Sequence, residues 1–384
     1  MTPKPSQETP HQPGQPGFEH VPGTVPRERE VPPPIGGQAA RMWDAGMGSR
    51  RNRGKDGRKR RRGDANAVVP DAEFRSYYGR AVLKPPVWTH EIAYYLFTGG
   101  LAAGCSMLAV VADVRGDVAA RRALRTTSLT AVGASAYFLV ADLGRPERFY
   151  NMLRVAKVTS PMSVGTYILS VFGPLSGAAA VAELGALLPE RGVPGLLRRV
   201  AGPAGSVAGA GAALTGPLLA TYTAVLFADT AVPSWHEPYR ELPFVFGGSA
   251  LAAGSGAALL LAPVGQSGSA ARLAAIGATV ELAAAHRMET AHGLVSEPFH
   301  LGRPGTFLKA ARTLTAAGAA GGIAARFLPR RAGRVVSAVA GASLLTGSFL
   351  TRMAVFEAGV ASTKDPKYVV VPQRERLEAR QRAS

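Results

Sequence analysis

An all-α integral membrane protein with eight transmembrane helices in two four-helix halves is the fold class this sequence predicts. Three observations lead there. Charge is segregated: Lys and Arg number 44 against 26 Asp and Glu, and the extremes cluster at the two ends of the 384-residue chain. Between those ends lie long charge-free runs of the length a helix needs to cross a bilayer, roughly 20 mostly apolar residues. The runs are rich in Gly, Ala and Ser. Small residues suit close helix–helix contact in lipid, where no hydrophobic force drives association.

Residues 1–73 form the first region. Ten of the 29 prolines fall within 1–36, and residues 50–62 carry nine basic side chains against Asp56 alone. Such a segment buries too little apolar surface to offset its ordering entropy, so a disordered tail is expected. The basic run suits anionic lipid headgroups. No folded recognition module or interleaved aromatic set accompanies it, so nucleic acid is not an expected partner. No apolar h-region of a signal peptide stands in the first 30 residues.

The spans follow in order. Residues 92–112, 126–141, 158–182, 200–228 and 242–271 contain no charge. Three further candidates are interrupted: 270–288 by Glu281, 306–328 by Lys309, Arg312 and Arg326, and 333–356 by Arg334 and Arg352. Pro174 and Pro217 sit inside spans, where neighbouring helices can satisfy the freed carbonyls. Together these make a membrane domain over 74–362, and 363–384 is expected as a polar basic tail. Leu101-Ala-Ala-Gly104 in the first span recurs as Leu251-Ala-Ala-Gly254 in the fifth, which fits two parallel halves.

An even number of spans places both termini on one side, the tail side. The basic tails and Arg75, Arg80 and Lys84 before the first span favour the cytoplasm for it, in the plasma (inner) membrane. The short loops disagree, because Arg115, Arg121, Arg122 and Arg125 fall on the opposite side.

The tail-side loops differ in kind. They read DLGRPERFYNMLR (142–154), DTAVPSWHEPYRELPF (229–244) and HRMETAHGLVSEPFHLGRPG (286–305). His90, His236, His286, His292 and His300 fall on this side, as do Trp88 and Trp235. An interfacial aromatic belt would decorate both edges. One working face is therefore expected, with Asp142, Arg145, Trp235, His236 and Glu237 shaping a docking surface. Asp142 and Arg145 either pair or cap the turn.

Four residues carry the chemistry. Tyr222 near the tail-side end of the fourth span offers a hydroxyl to a carbonyl such as a quinone oxygen, or is a core Tyr satisfied by backbone. His90 and Glu91 open the first helix as a titratable pair suited to passing protons, or as a solvated helix start. Glu281 lies inside a span, where an ionisable group is a functional hypothesis. It is either a proton relay or a structural pair with Arg312 or Arg352. The single Cys excludes a Cys-ligated iron–sulfur cluster and a disulfide framework. No span holds two centrally placed His, which disfavours a bis-His haem, and no site for a covalent cofactor is visible.

The segments YGRAVLKPPVW (78–88), YYLFTGGLAAG (94–104), DLGRPERFYNMLR, TSPMSVGTY (159–167), TYTAVLFADTAVPSWHE (221–237) and LTRMAVFEAG (350–359) together resemble the NrfD/PsrC family, over about 74–372. These are membrane subunits of polysulfide-reductase-like molybdoenzyme complexes. The resemblance implies eight helices in two halves and a menaquinone or related quinone site at one membrane face. It also implies a ferredoxin-like iron–sulfur subunit docked there, connecting to a molybdopterin catalytic subunit. In the family a tyrosine at the end of helix four and polar residues at the start of helix one hold the quinone head. Tyr222 matches the first by its TYT context, and His90 and Glu91 match the second by location. Ala224 stands where the family often has Gly, which alters the room beside the head group. The expected function is electron exchange between quinol and the iron–sulfur partner. The alternatives are a passive anchor with no quinone site of its own, or a proton or solute transporter.

Overall fold

A computed structural model describes residues 82–154, 156–185, 189 and 191–383. The Pro-rich, basic segment 1–73 lies outside the described residues, as do residues 78–81 (YGRA) of the family-like stretch 78–88. What is described is all-helical. Eight helices of 20 residues or more occur among the described residues: α1 His90–Val114, α2 Val118–Ala141, α3 Pro161–Gly185, α4 Gly192–Ala228, α5 Leu242–Leu261, α6 Gly268–Thr290, α7 Gly302–Ala324 and α8 Arg330–Lys364. Helices α1, α3, α4, α5 and α8 are long and apolar enough to cross a membrane. Pro174 lies within α3, and Pro203 and Pro217 lie within α4.

The boundaries follow local chemistry. Pro85 and Pro86 hold the approach to α1 out of the helical region. Helix α1 ends one residue before Arg115, and Gly116 then turns the chain at φ +69. The same left-handed step recurs at Gly144 after α2, at φ +66. The charge-free run 242–271 is divided: α5 stops at Leu261, Ala262 is extended, Pro263 follows, and α6 begins at Gly268. Hydropathy alone cannot see such a break, because the turn residues carry no charge. Arg121, Arg122 and Arg125, read as loop charges, lie inside α2.

Packing divides the helices into two rings of four. In the first, α1 packs on α2, α2 on α3, α3 on α4 and α4 back on α1. In the second, α5 to α8 repeat that circuit. The rings join mainly through α1 against α5, with α4 against α5 and α8 against α1 beside it. The repeated Leu-Ala-Ala-Gly motifs meet at this seam. A Cβ on Gly104 would strike the Ala250 carbonyl, and a Cβ on Gly254 would strike the Gly104 backbone. A second repeat appears near the tail-side ends of α4 and α8. Thr221, Ala224, Val225 and Ala228 correspond to Thr351, Ala354, Val355 and Ala358, so Tyr222 stands where the second half has Arg352.

The C-terminal segment, expected as a disordered tail, forms helix α9, Lys367–Ala383. Its outer part is exposed, but its first turn is docked. Tyr368 is buried and donates to Glu297 at 3.1 Å, and Lys367 pairs with the same carboxylate at 2.7 Å. Further out, Arg376 pairs with Glu237 at 2.9 Å. Those two acidic residues of the tail-side loops supply the anchors that composition could not reveal.

Candidate functional site

The start of α1 is held by the end of α2. Both the Thr89 N–H and its hydroxyl donate to Asp142 Oδ1, at 3.1 and 2.8 Å. Asp142 thus ties the residue just before α1 to the end of α2, and no ion pair joins it to Arg145, whose side chain is exposed.

His90 is 54% exposed, and its Nε2 lies 3.6 Å from Glu357 Oε1 on α8. Arg303, at the start of α7, approaches the same oxygen at 3.5 Å. The His90 ring packs on Phe356, with centroids 5.7 Å apart.

Tyr222 is buried in α4, its ring lying directly over Gly165 of α3, so that any side chain there would overlap it. Among the described residues its hydroxyl makes no hydrogen bond. No hydrogen bond joins Tyr222 to His90 or Glu91 either. The structure holds them at two places on the same side of the molecule, one against α3 and the other against α7 and α8.

Between these places stands an aromatic stack. Trp88 lies on Phe227 at 5.8 Å, and Phe227 lies on Trp235 at 4.2 Å with planes 9° apart. Trp235 continues to Phe356 at 6.0 Å. Trp235 was expected on the docking surface; it is instead 0% exposed. Its indole N–H donates to the Val355 carbonyl at 2.7 Å, and its ring fills the space a side chain at Gly359 would need. An amphipathic ring that finds a carbonyl for its one donor is stable inside. Its loop neighbours differ. His236 is exposed and bonds the Ala228 carbonyl through Nδ1 at 2.8 Å, and Glu237 holds α9. A cavity of about 250 Å³ opens beside Trp88, lined by Leu83, Lys84, Pro86, Thr230, Val232 and Thr363.

Glu281 is 2% exposed and accepts from the Thr351 hydroxyl at 2.6 Å. Neither expected pairing forms directly. Arg312 pairs instead with Glu289, near the tail-side end of α6. Arg352 is 1% exposed and lies in the seam between the rings. Its Nε donates to the Leu96 carbonyl at 3.0 Å, one terminal nitrogen to the Phe246 carbonyl at 3.1 Å, and the other to Ser249 Oγ at 2.7 Å and to Ser348. Its charge still acts on Glu281 through space, and Ser249 lies between the two.

Three carboxylates to which the sequence reading gave no role stand out in the structure. Glu241 is flanked by Arg287 at 3.0 Å and His292 at 3.2 Å. Glu289 is flanked by Arg312 and by His300 at 3.6 Å. Glu357 has Arg303 and His90. Each is a largely buried Glu with one Arg and one His, and all stand on the tail side. The Glu-to-His spacing was readable for Glu289 and His300, but not for Glu357 and His90, which are 267 residues apart. The opposite edge has a different network. Arg125, buried in α2, reaches Asp113 and Glu183 at 2.8 Å each, and Arg121 binds the same two acids. It ties α1, α2 and α3 together with no histidine. Among the described residues no group of three His, Cys, Asp or Glu side chains is disposed to hold a metal ion.

Against curated proteins the chain finds no match. Against family models it matches the one described as polysulphide reductase, NrfD, over residues 81–283, from just before α1 into α6. With eight long helices, five of them apolar enough to span a bilayer, and more than half its length within that match, the chain is a multi-pass membrane protein that belongs to the NrfD family.

Proposed function

We propose that this chain is the quinone-reactive membrane subunit of an oxidoreductase complex. In this reading all eight long helices cross the bilayer, and both termini stand on the cytoplasmic side. The quinone, as menaquinol or a relative, enters laterally at the tail side. Tyr222 donates its hydroxyl to a quinone carbonyl, while His90 and Glu91 exchange protons with the head group. Electrons pass across the tail-side loops to a ferredoxin-like iron–sulfur subunit and on to a molybdopterin catalytic subunit. Asp142 acts by holding the α1 start, and Arg145, His236 and Glu237 face the partner. Glu281 relays protons in the interior, with Thr351 as its hydrogen-bond donor.

The observation that carries the reading is Tyr222. Its ring is packed over Gly165 while its hydroxyl is neither hydrogen-bonded among the described residues nor enclosed by them, which leaves it open to a ligand, in a helix whose family resemblance assigns a tyrosine to the quinone. The second half offers a useful contrast, because there the corresponding position is an arginine with every nitrogen bonded.

The test is binding of a naphthoquinone analogue to the purified chain, wild type against Tyr222→Phe and His90→Ala. Saturable binding that weakens in both variants supports the proposal. A well-folded wild type that binds nothing, alone or with the iron–sulfur partner, overturns it in favour of a passive anchor. Ion or solute flux through the chain alone in liposomes would favour a transporter.

A further inference from the structure

We infer that Glu357 is the group that takes the proton from His90. The inference rests on the quinone reading above and gives a role to a residue of the LTRMAVFEAG segment that had none, beyond the family match, which ends at residue 283.

Glu357 Oε1 is fully enclosed and has no hydrogen-bond partner among the described residues. Two nitrogens aim at it from just outside hydrogen-bonding distance, His90 Nε2 at 3.6 Å and Arg303 at 3.5 Å. A carboxylate oxygen in such a place is costly to leave without a donor. A shift of about half an ångström closes the gap to either neighbour. His90 is half exposed at the first position of α1, with Phe356 against its ring, so solvent leaves room for that shift. Arg303 holds a positive charge beside the carboxylate and never gives up its proton. Glu91 beside His90 on α1 and Asp142 at the end of α2, the latter engaged by Thr89, also bring charge to the start of α1. The arrangement is a histidine with one face to the membrane edge and the other to a buried base.

The step balances as follows. When quinol is oxidised its two electrons go, one at a time, to the iron–sulfur clusters of the partner subunit. Both O–H bonds of the quinol break: one proton forms an N–H bond on His90, and the other forms an O–H bond on the Glu91 carboxylate, which releases it to water. The N–H bond on His90 Nε2 then breaks and an O–H bond forms on Glu357 Oε1; that bond breaks in turn as the proton passes to water on the tail side. In the reducing direction the same bonds form and break in reverse order. Glu357 does not touch the quinone; it restores His90 between turnovers.

The experiment measures naphthoquinol-analogue oxidation by native membranes containing the intact complex, as a function of pH. The variants are Glu357→Gln, Glu357→Asp, His90→Ala and Tyr222→Phe. Glu357→Gln is expected to lower kcat about 100-fold, the low end of what a positioned acid–base group contributes, with KM unchanged. Its pH profile should change shape, and small carboxylic acids added to the buffer should restore part of the rate. Glu357→Asp, which keeps the carboxylate, should keep the wild-type profile at reduced kcat. If Glu357→Gln retains wild-type kcat and pH profile while His90→Ala and Tyr222→Phe lose turnover, Glu357 has no such role and the quinone reading stands. If Gln and Asp lower the rate alike and no acid restores it, Glu357 is structural and the inference fails. If none of the four variants affects quinol oxidation, the quinone reading itself falls.

Discussion

Gly104 and Gly254 lie backbone to backbone where α1 crosses α5, each occupying the space a side chain on the other would need. They end the two Leu-Ala-Ala-Gly motifs, 150 residues apart. The contact gives the seam between the two rings its closeness. It also explains why small residues persist at equivalent places of the two halves, since lipid provides no other force to draw the helices together.

Replacing Gly254 with Val should therefore destabilise the chain by about 3 kcal/mol, the upper part of the range for overpacking. Gly133→Val is the matched control, because nothing lies within 4 Å of a Cβ there. Thermal unfolding of the two variants in detergent measures the difference.

Gly165→Ala should weaken binding of a naphthoquinone analogue about tenfold while Tyr222 itself is retained, because the new methyl overlaps the Tyr222 ring and turns it aside. Titration of the analogue against the purified variant tests this. Unchanged affinity would detach the tyrosine from the ligand.

Asp142→Ala should cost about 1 kcal/mol, the usual net worth of a hydrogen bond, and free the start of α1 from the end of α2. Hydrogen exchange at Ile92 and Ala93 should quicken. Asp142→Asn, which keeps an acceptor oxygen, should restore most of the protection.

Helix α9 should undock in strong alkali. Burial, with Glu297 beside it, pushes the Tyr368 phenol well above its ordinary range. Docked, it stays protonated; undocked, it ionises near pH 10. The docked state is therefore fully favoured below about pH 10 and loses ground as pH rises beyond it. Trypsin cleavage at Arg374 and Arg376 should accelerate across that range. Tyr368→Phe should cleave faster at neutral pH, with no further rise in alkali from this group.

The helices themselves were legible in the sequence, because charge-free runs between charged turns mark a span without knowledge of its neighbours. The positions of Glu281, Arg312 and Arg352 inside spans were equally plain. Their partners were not. Whether Arg312 meets Glu281 or Glu289 depends on how α6 and α7 are rotated about their axes, and hydropathy contains no rotation. Arg352 was read as one half of a pair, whereas carbonyls and hydroxyls of α1, α5 and α8 surround it. Trp235 misled because a short loop between charged residues looks exposed; the loop folds inward and the ring closes the mouth of the bundle. The correspondence of Tyr222 with Arg352 was on the page as Thr-x-x-Ala-Val-x-x-Ala. It becomes meaningful only once α4 and α8 are known to occupy the same place in their rings.

Arg352 binds the carbonyls of Leu96 and Phe246, which are separated by the same 150 residues as Gly104 and Gly254. One side chain thus bolts matching rungs of both rings to each other. If the halves rocked about the seam, as alternating access requires, those bonds would break in a place water cannot reach to replace them. The bonds of Arg352 therefore oppose rocking of one ring against the other. In the proposed quinone reading, that resistance would keep a tail-side site at a constant distance from a docked iron–sulfur subunit, the condition electron tunnelling needs and a rocking carrier lacks.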